Sequence, residues 1–262
     1  MPALLSVPHA RPLHAGELVG RRKRFLADVR LAGGQQVVAH CVNPGRMEGM
    51  VIPGAPVLVS AVDPDSKRKL RYTLELLRVG RNWIGANTVI ANRIVEALLR
   101  EKKLVGLKSY SELRREYRYG DNSRADFWMR RGTKQTFIEV KNCHLVYADG
   151  RGYFPDSVSA RASRHLEELT RVVRAGHGAL VLLLVQHARA NSVRPSDVHD
   201  PAFASAARAA EAAGVAFRAL RVRPTPRAYV VEREIPVELV PYDTQPIVEY
   251  RQRNDAWSGS EW

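Results

Sequence analysis

Between Gly16 and about Gly85 apolar and polar residues alternate in short runs, and turn formers break the runs at close intervals. Phe25 to Leu31 ends at Gly33-Gly34, Gln36 to Cys41 enters Asn43-Pro44-Gly45, and Pro56 to Val62 follows Pro53-Gly54. Lys69 to Val79 follows Asp63-Pro64-Asp65-Ser66, and a last run surrounds Trp83 after Gly80. A period of two between such turns predicts strands. About five short strands with no helix strong enough to cover a sheet predict a small closed β-barrel of the OB-like kind, occupying residues 1–87.

After Asn87 the period lengthens. Ile90, Ile94, Leu98 and Leu99 fall at helical spacing from about Val89 to Lys103. Three strands are then predicted at Leu113 to Tyr119, Arg124 to Arg130 and Thr136 to Val140, with turns at Gly120-Asp121-Asn122 and Arg131-Gly132. A helix starts near Ser159, carries Leu166, Leu169, Val172 and Val173 as its apolar stripe, and stops at Gly176. Ala179 to Val185 is an unbroken apolar run, as in a buried central strand. Asp200-Pro201 reads as the N-cap and first turn of a helix ending at Gly214, and Val215 to Val222 as the last strand. These elements predict an α/β domain with a mixed sheet over residues 88–240, followed by a flexible tail at 241–262.

Composition narrows the class. Hydrophobic residues make up 45% of 262 residues, enough for a packed core. Lys and Arg number 41 against 27 Asp and Glu, a net charge of +14, which attracts polyanions, nucleic acid foremost; the competing explanation is a well-solvated arginine-rich surface. Two cysteines are too few for a disulfide framework, and no stretch has the length of an apolar membrane span, so a cytoplasmic setting is expected. No sequence feature fixes the oligomeric state.

Candidate chemistry lies in the middle strands. The period of two puts Phe137, Glu139 and Lys141 on one face, and Arg124, Asp126 and Trp128 on one face of the preceding strand. A hairpin pairing then sets Asp126 beside Glu139. Two carboxylates offer hard oxygen ligands to Mg²⁺ or Mn²⁺, and a lysine can orient water and offset charge on phosphorus, as phosphodiester hydrolysis requires. The pattern matches the Asp … (Asp/Glu)-X-Lys signature of restriction-endonuclease-like proteins, although a solvated ion pair would read the same. Asp126, Glu139 and Lys141 are therefore candidate catalytic residues, with Asp126 and Glu139 as metal ligands. Glu96 on the preceding helix is a further candidate ligand, or a solvated charge; Glu116 is another carboxylate that could face the site.

Phosphate contacts are expected from the basic runs Arg21-Arg22-Lys23-Arg24 and Lys67-Arg68-Lys69 with Arg71, and from Arg124. Arg161, Arg164 and His165 share the polar face of the helix after Ser159 and could add contacts. Trp83 and Tyr72 could stack bases or belong to the barrel core. Asp156 and Asp197-Val198-His199-Asp200 could support the site, although N-capping alone explains Asp200. No helix-turn-helix is evident, so weak or absent sequence selectivity is expected.

Taken in order, Arg24-Phe25-Leu26-Ala27-Asp28, His40-Cys41-Val42-Asn43-Pro44-Gly45-Arg46-Met47, Gly85-Ala86-Asn87-Thr88, Ser123-Arg124-Ala125-Asp126-Phe127, Ile138-Glu139-Val140-Lys141-Asn142, Phe154-Pro155-Asp156 and Arg164-His165-Leu166 resemble the sugar fermentation stimulation protein A family. The resemblance implies an OB-like N-terminal barrel, a restriction-endonuclease-like C-terminal domain, DNA binding and a regulatory role in sugar (maltose) metabolism. The family usually has Cys-Pro-Asn-Thr-Gly where this chain has Cys41-Val42-Asn43-Pro44-Gly45, and Lys-His-Leu where it has Arg164-His165-Leu166. Three functions stay open, two of them a metal-dependent DNA nuclease and a non-catalytic DNA-binding regulator that keeps the nuclease fold. An RNA-processing enzyme is a third.

Overall fold

The computed structural model describes residues 3–119 and 123–253. The expected turn at Gly120-Asp121-Asn122 and the end of the expected tail lie outside the described residues. The N-terminal part runs β1 (Leu5–Pro8), β2 (Leu13–Arg22), β3 (Leu26–Leu31), β4 (Gln36–His40), β5 (Pro56–Ala61), β6 (Tyr72–Val79) and β7 (Asn82–Gly85). Strands β2 to β6 form the OB-like barrel: β4, β3, β2, β5 and β6 are neighbours in that order, and the parallel pairs Ala39↔Tyr72 and His40↔Thr73 close the circle. Bulges at Leu18/Gly20 and Leu58/Val59 supply the bends that closure needs. Inward positions recur every second residue, at Ala27 and Val29 and at Val57 and Val59, and with Leu18, Leu74 and Leu77 they fill the interior.

The C-terminal part runs α1 (Ile90–Arg100), β8 (Glu112–Tyr119), β9 (Ser123–Arg131), β10 (Lys134–Cys143), β11 (Arg151–Phe154), α2 (Ala160–Arg174), β12 (Gly178–Val185), β13 (Ser192–Pro195), α3 (Pro201–Ala212), β14 (Ala216–Pro224), β15 (Ala228–Ile235) and α4 (Gln245–Arg253). A mixed sheet of order β1-β15-β14-β12-β10-β9-β8 carries the domain, with β10, β12 and β14 parallel at its centre. Helix α1 buries Ile94, Leu98 and Leu99 against Ile138, Val140 and Leu182 on one face. On the other face α2 and α3 bury Leu166, Leu169 and Phe203 against Phe137, Val181 and Leu183. Successive residues of β10 therefore enter opposite cores, which leaves Glu139 and Lys141 on the α2 side.

Three expectations are corrected. Strand β1 pairs with β15, Leu5 facing Val231, so the start of the chain belongs to the C-terminal sheet and not to the barrel. The strand from Val215 is not the last, since β15 returns antiparallel beside it. Within the segment expected to be a flexible tail, Gln245–Arg253 form α4, with Ile247 buried.

A buried polar network joins barrel to sheet domain. Arg21, 9% exposed, donates to the carbonyls of Arg24, Asn43, Gly45 and Arg46 at 2.7–3.1 Å. It is thus a brace for the loop after Cys41 and not a phosphate contact. Asn43 Nδ2 meets His144 Nδ1 at 3.1 Å, and Asp156 Oδ2 accepts from the Met47 N–H at 2.9 Å while lying 3.1 Å from His144 Nε2. Gly45 sits so close to the Asp156 carboxylate that a Cβ there would strike it. Gly45→Ala is expected to cost about 2 kcal/mol or more, read as a lowered urea midpoint at unchanged m-value.

Glu48 completes the network, accepting from Tyr147 Oη at 2.8 Å and Arg251 Nε at 2.9 Å, with His199 Nε2 at 3.2 Å. Burial pushes the Glu48 carboxyl up, but hydrogen bonds from His199, Arg251 and Tyr147 outweigh it and hold it down to about 2. Burial is likewise outweighed at Asp156, where His144 and the Met47 N–H hold the carboxyl far below the carboxylate range. Burial, with Arg189 and His144 nearby, lowers the His187 imidazole to about 4. All three fall below their unfolded values, so their contribution is complete at neutral pH and is lost on acidification. His187 acts first, from its ordinary 6.5 down to about 4, and Glu48 follows, from its ordinary 4.5 down to about 2. Melting temperature should therefore fall steadily from pH 7 to pH 3; a flat profile would contradict the network.

Candidate active site

The pairing of β9 with β10, Phe137 opposite Trp128 and Ile138 opposite Phe127, brings Asp126 alongside Glu139. Beyond Ile138 the ladder stops, because Asp126 Oδ2 takes the Val140 N–H at 2.7 Å. Its other oxygen accepts from Asn92 Nδ2 of α1 at 2.8 Å. Asp126 is thus held by the backbone of β10 and by α1. Glu116 lies opposite it on β8 with φ +49, a left-handed conformation rarely adopted by a residue with a side chain.

Glu139 is 4% exposed. Its Oε1 meets Lys141 Nζ at 2.7 Å and His165 Nδ1 at 2.5 Å, whereas its Oε2 is buried with no partner among the described residues. Glu168 Oε2 and the Tyr119 hydroxyl are also buried and have no partner among the described residues. Burial raises the Asp126 carboxyl, and the Glu139 charge adds to the rise; Val140 N–H, Asn92 and Lys141 act against it. At Glu139 burial again pushes upward, but the His165 hydrogen bond and Lys141 prevail and the carboxyl lies below its usual value. Tyr119 is raised by burial and by the charges of Glu139, Glu168 and Asp126, so its phenol stays protonated at neutral pH.

Asp126, Glu139 and Glu168 line a cavity of about 410 Å³; Lys141 touches Glu139 but is not itself part of the lining. Four carboxylates line it, Glu116, Asp126, Glu139 and Glu168, together with Arg124, Arg161, Arg164 and His165. Helix α2 delivers the last three because its start is fixed twice. Ser159 caps it by accepting from the Ala162 N–H, and Asp200 Oδ2 holds the Ser159 N–H at 2.7 Å. Asp200 Oδ1 also caps α3 through Phe203 N–H, so its role is capping.

The donor set suits a hard divalent cation, since unpaired buried carboxylate oxygens are what such an ion would satisfy. Among the described residues, however, no three His, Cys, Asp or Glu side chains are grouped closely enough to hold an ion. An ion here would take Asp126 and Glu139 and complete its shell with water or phosphate oxygens, as Mg²⁺ commonly does.

Other expected site residues lie elsewhere. Glu96 is paired with Arg100 at 2.9 Å and Arg115 at 2.7 Å and does not line the cavity; Asn92, one turn earlier on α1, reaches Asp126 instead. Asp156 and His199 belong to the interdomain network, and Asp197 pairs with Arg208 at 2.6 Å. On the barrel Arg22 pairs with Asp28, and Arg71 holds the carbonyls of Asp63, Pro64 and Ser66. Arg68 bonds Thr73 and His40. Lys23, Lys67 and Lys69 are exposed, and Arg24 bonds the Pro44 carbonyl. Tyr72 packs at the edge of the barrel core, and Trp83 packs against the core under α1.

Comparison with known proteins agrees with this architecture. The family model described as sugar fermentation stimulation protein RE domain matches residues 89–228, and that of the SfsA N-terminal OB domain matches residues 19–86. A sugar fermentation stimulation protein homolog of Methylobacterium sp. (strain 4-46) is 44% identical over 229 residues, covering 86% of this chain and 95% of the relative. That of Thioalkalivibrio sulfidiphilus is 42% identical, covering 85% and 94%. The solved structure of Pyrococcus furiosus SfsA in complex with Ca²⁺ superposes with a TM-score of 0.81 at 25% identity, covering 91% of this chain and all of that one.

Proposed function

The chain belongs to the sugar fermentation stimulation protein family, and we propose that it binds DNA and hydrolyses phosphodiester bonds with the help of a divalent cation held by Asp126 and Glu139. The observation that carries this reading is the convergence of Asp126, Glu139 and Lys141, with Glu139 Oε2 left without a partner among the described residues beside a cavity rimmed by arginines. When bound, Mg²⁺ or Mn²⁺ would supply Lewis acidity toward phosphate oxygens and an acidified water. The chain's own groups do the rest. Lys141 orients Glu139 and sets a positive charge near the negative charge that builds up on the phosphoryl oxygens, while Arg124, Arg161 and Arg164 hold flanking phosphates. The Ca²⁺ bound by the Pyrococcus furiosus relative supports a hard, oxygen-seeking cation as cofactor. Lys23, Lys67 and Lys69 extend the basic surface onto the barrel, and this mode of contact implies salt-sensitive affinity with little sequence selectivity. Under this reading any effect on sugar metabolism is exercised at DNA.

A second reading, DNA binding without cleavage, draws on the absence of a three-donor group among the described residues and on the pairing of Glu139 with Lys141 and His165. Cation uptake separates the two. Mn²⁺ titration followed by electron paramagnetic resonance should show one site in the wild type, weakened at least tenfold in the Asp126→Asn/Glu139→Gln double variant. Equal Mn²⁺ uptake by both proteins would remove the proposed ligands, and DNA affinity indifferent to chelator would then favour the binding-only regulator.

A further inference from the structure

A second cavity, about 480 Å³, opens where the barrel, the segment after β1, the start of α1 and β15 meet. Its size is that of a site for one small molecule and not of a groove for a strand. Leu13, Val42 and Ile90 give it an apolar wall. Tyr229 lines it from β15 and is fully buried, yet its hydroxyl has no hydrogen-bond partner among the described residues. Packing does not need that oxygen, and an unpaired buried hydroxyl costs free energy, so a ligand that accepts from it would recover the loss. Burial pushes the phenol well above its ordinary value, which keeps it a donor at neutral pH.

The charge of the cavity is unbalanced. Arg68 bonds only the neutral partners Thr73 and His40, and Arg93 has no carboxylate partner among the described residues. Glu75, whose oxygens accept from Ser60 Oγ at 2.7 Å and Asn87 Nδ2 at 2.9 Å, is the one carboxylate in a lining that also holds Arg11, Arg68 and Arg93, and Arg11 pairs outside it with Asp63. Arg68 and Arg93 against the single Glu75 leave an excess of positive charge that favours an anion, and the apolar wall with a single buried donor favours a flat heterocycle. We propose that this cavity binds a nucleoside monophosphate, its phosphate at Arg68 and Arg93 and its base against Leu13, Val42 and Ile90, accepting from Tyr229. The proposal does not depend on the metal site.

Isothermal titration of the full chain in EDTA with AMP, GMP, CMP, UMP, ribose 5-phosphate and inorganic phosphate tests it. At least one nucleoside monophosphate should bind with unit stoichiometry and at least tenfold more tightly than ribose 5-phosphate or phosphate. Arg93→Gln and Tyr229→Phe should each weaken it by roughly tenfold. Tyr229→Phe preserves the ring and removes only the unpaired hydroxyl, so it should fold as well as the wild type, checked by its melting temperature. Failure of all four nucleotides to bind would overturn the proposal. So would binding of phosphate or ribose 5-phosphate as tight as that of the nucleotides, or nucleotide binding unaffected by both substitutions.

Discussion

Lys141→Ala should lower metal-dependent DNA cleavage by roughly 10²–10³-fold while leaving DNA affinity within about twofold of wild type. The ammonium lies 2.7 Å from Glu139 Oε1 in a largely buried position, so its removal takes away the fixed positive charge nearest that carboxylate. His165 still contacts the same oxygen, which keeps Glu139 partnered and the fold intact. Arg124, Arg161 and Arg164, the residues proposed to hold phosphate, are untouched, and for that reason binding should persist. Lys141→Met, which retains the length of the side chain without its charge, should lose activity to the same degree, and near-ultraviolet circular dichroism of both variants checks the packing. Cleavage by either variant within tenfold of wild type would remove Lys141 from the chemistry.

Glu48→Ala should destabilise the protein by about 3–5 kcal/mol, the cost of breaking a buried ion pair from one side. Three elements converge on this carboxylate: Tyr147 after β10, His199 before α3 and Arg251 on α4. Its loss leaves the buried Tyr147 and His199 groups short of a partner and frees α4 from the barrel loop. Denaturant unfolding should show the drop, and limited proteolysis should cut first near α4. Glu48→Gln, which keeps an acceptor, should lose less. A change under about 1 kcal/mol for the alanine variant would mean that the network contributes little.

Much of the architecture was legible because local rules and tertiary structure agree. Ser159 and Asp200-Pro201 mark helix starts by capping chemistry that operates whatever the surroundings, and the alternation around Glu139 shows its face directly. What escaped depends on distant partners. β1 and β15 are a short strand and its cross-chain mate, and four residues carry too little alternation to announce a strand. Arg21 stands in a basic run, but backbone carbonyls of the loop after Cys41 turn toward it, a geometry no local pattern encodes. Glu96 and Asn92 lie one helical turn apart on α1, and only the packing angle of the helix decides which of them meets Asp126. The family motifs around Asn43-Pro44-Gly45 and Phe154-Pro155-Asp156 proved to join the two domains, a structural use that their polar residues do not advertise. Helical spacing already put Glu168 beside Arg161, Arg164 and His165; its unpaired oxygen became visible only in three dimensions.

Incubation of the purified chain with end-labelled single- and double-stranded DNA in Mn²⁺, Mg²⁺ or EDTA, beside Lys141→Ala, tests the site assignment most directly. Cleavage in Mn²⁺ or Mg²⁺, none in EDTA, and cleavage by the variant lowered by roughly 10²–10³-fold is the expected result. Binding without cleavage in every condition would contradict it and leave a DNA-binding protein that keeps the nuclease fold without its reaction.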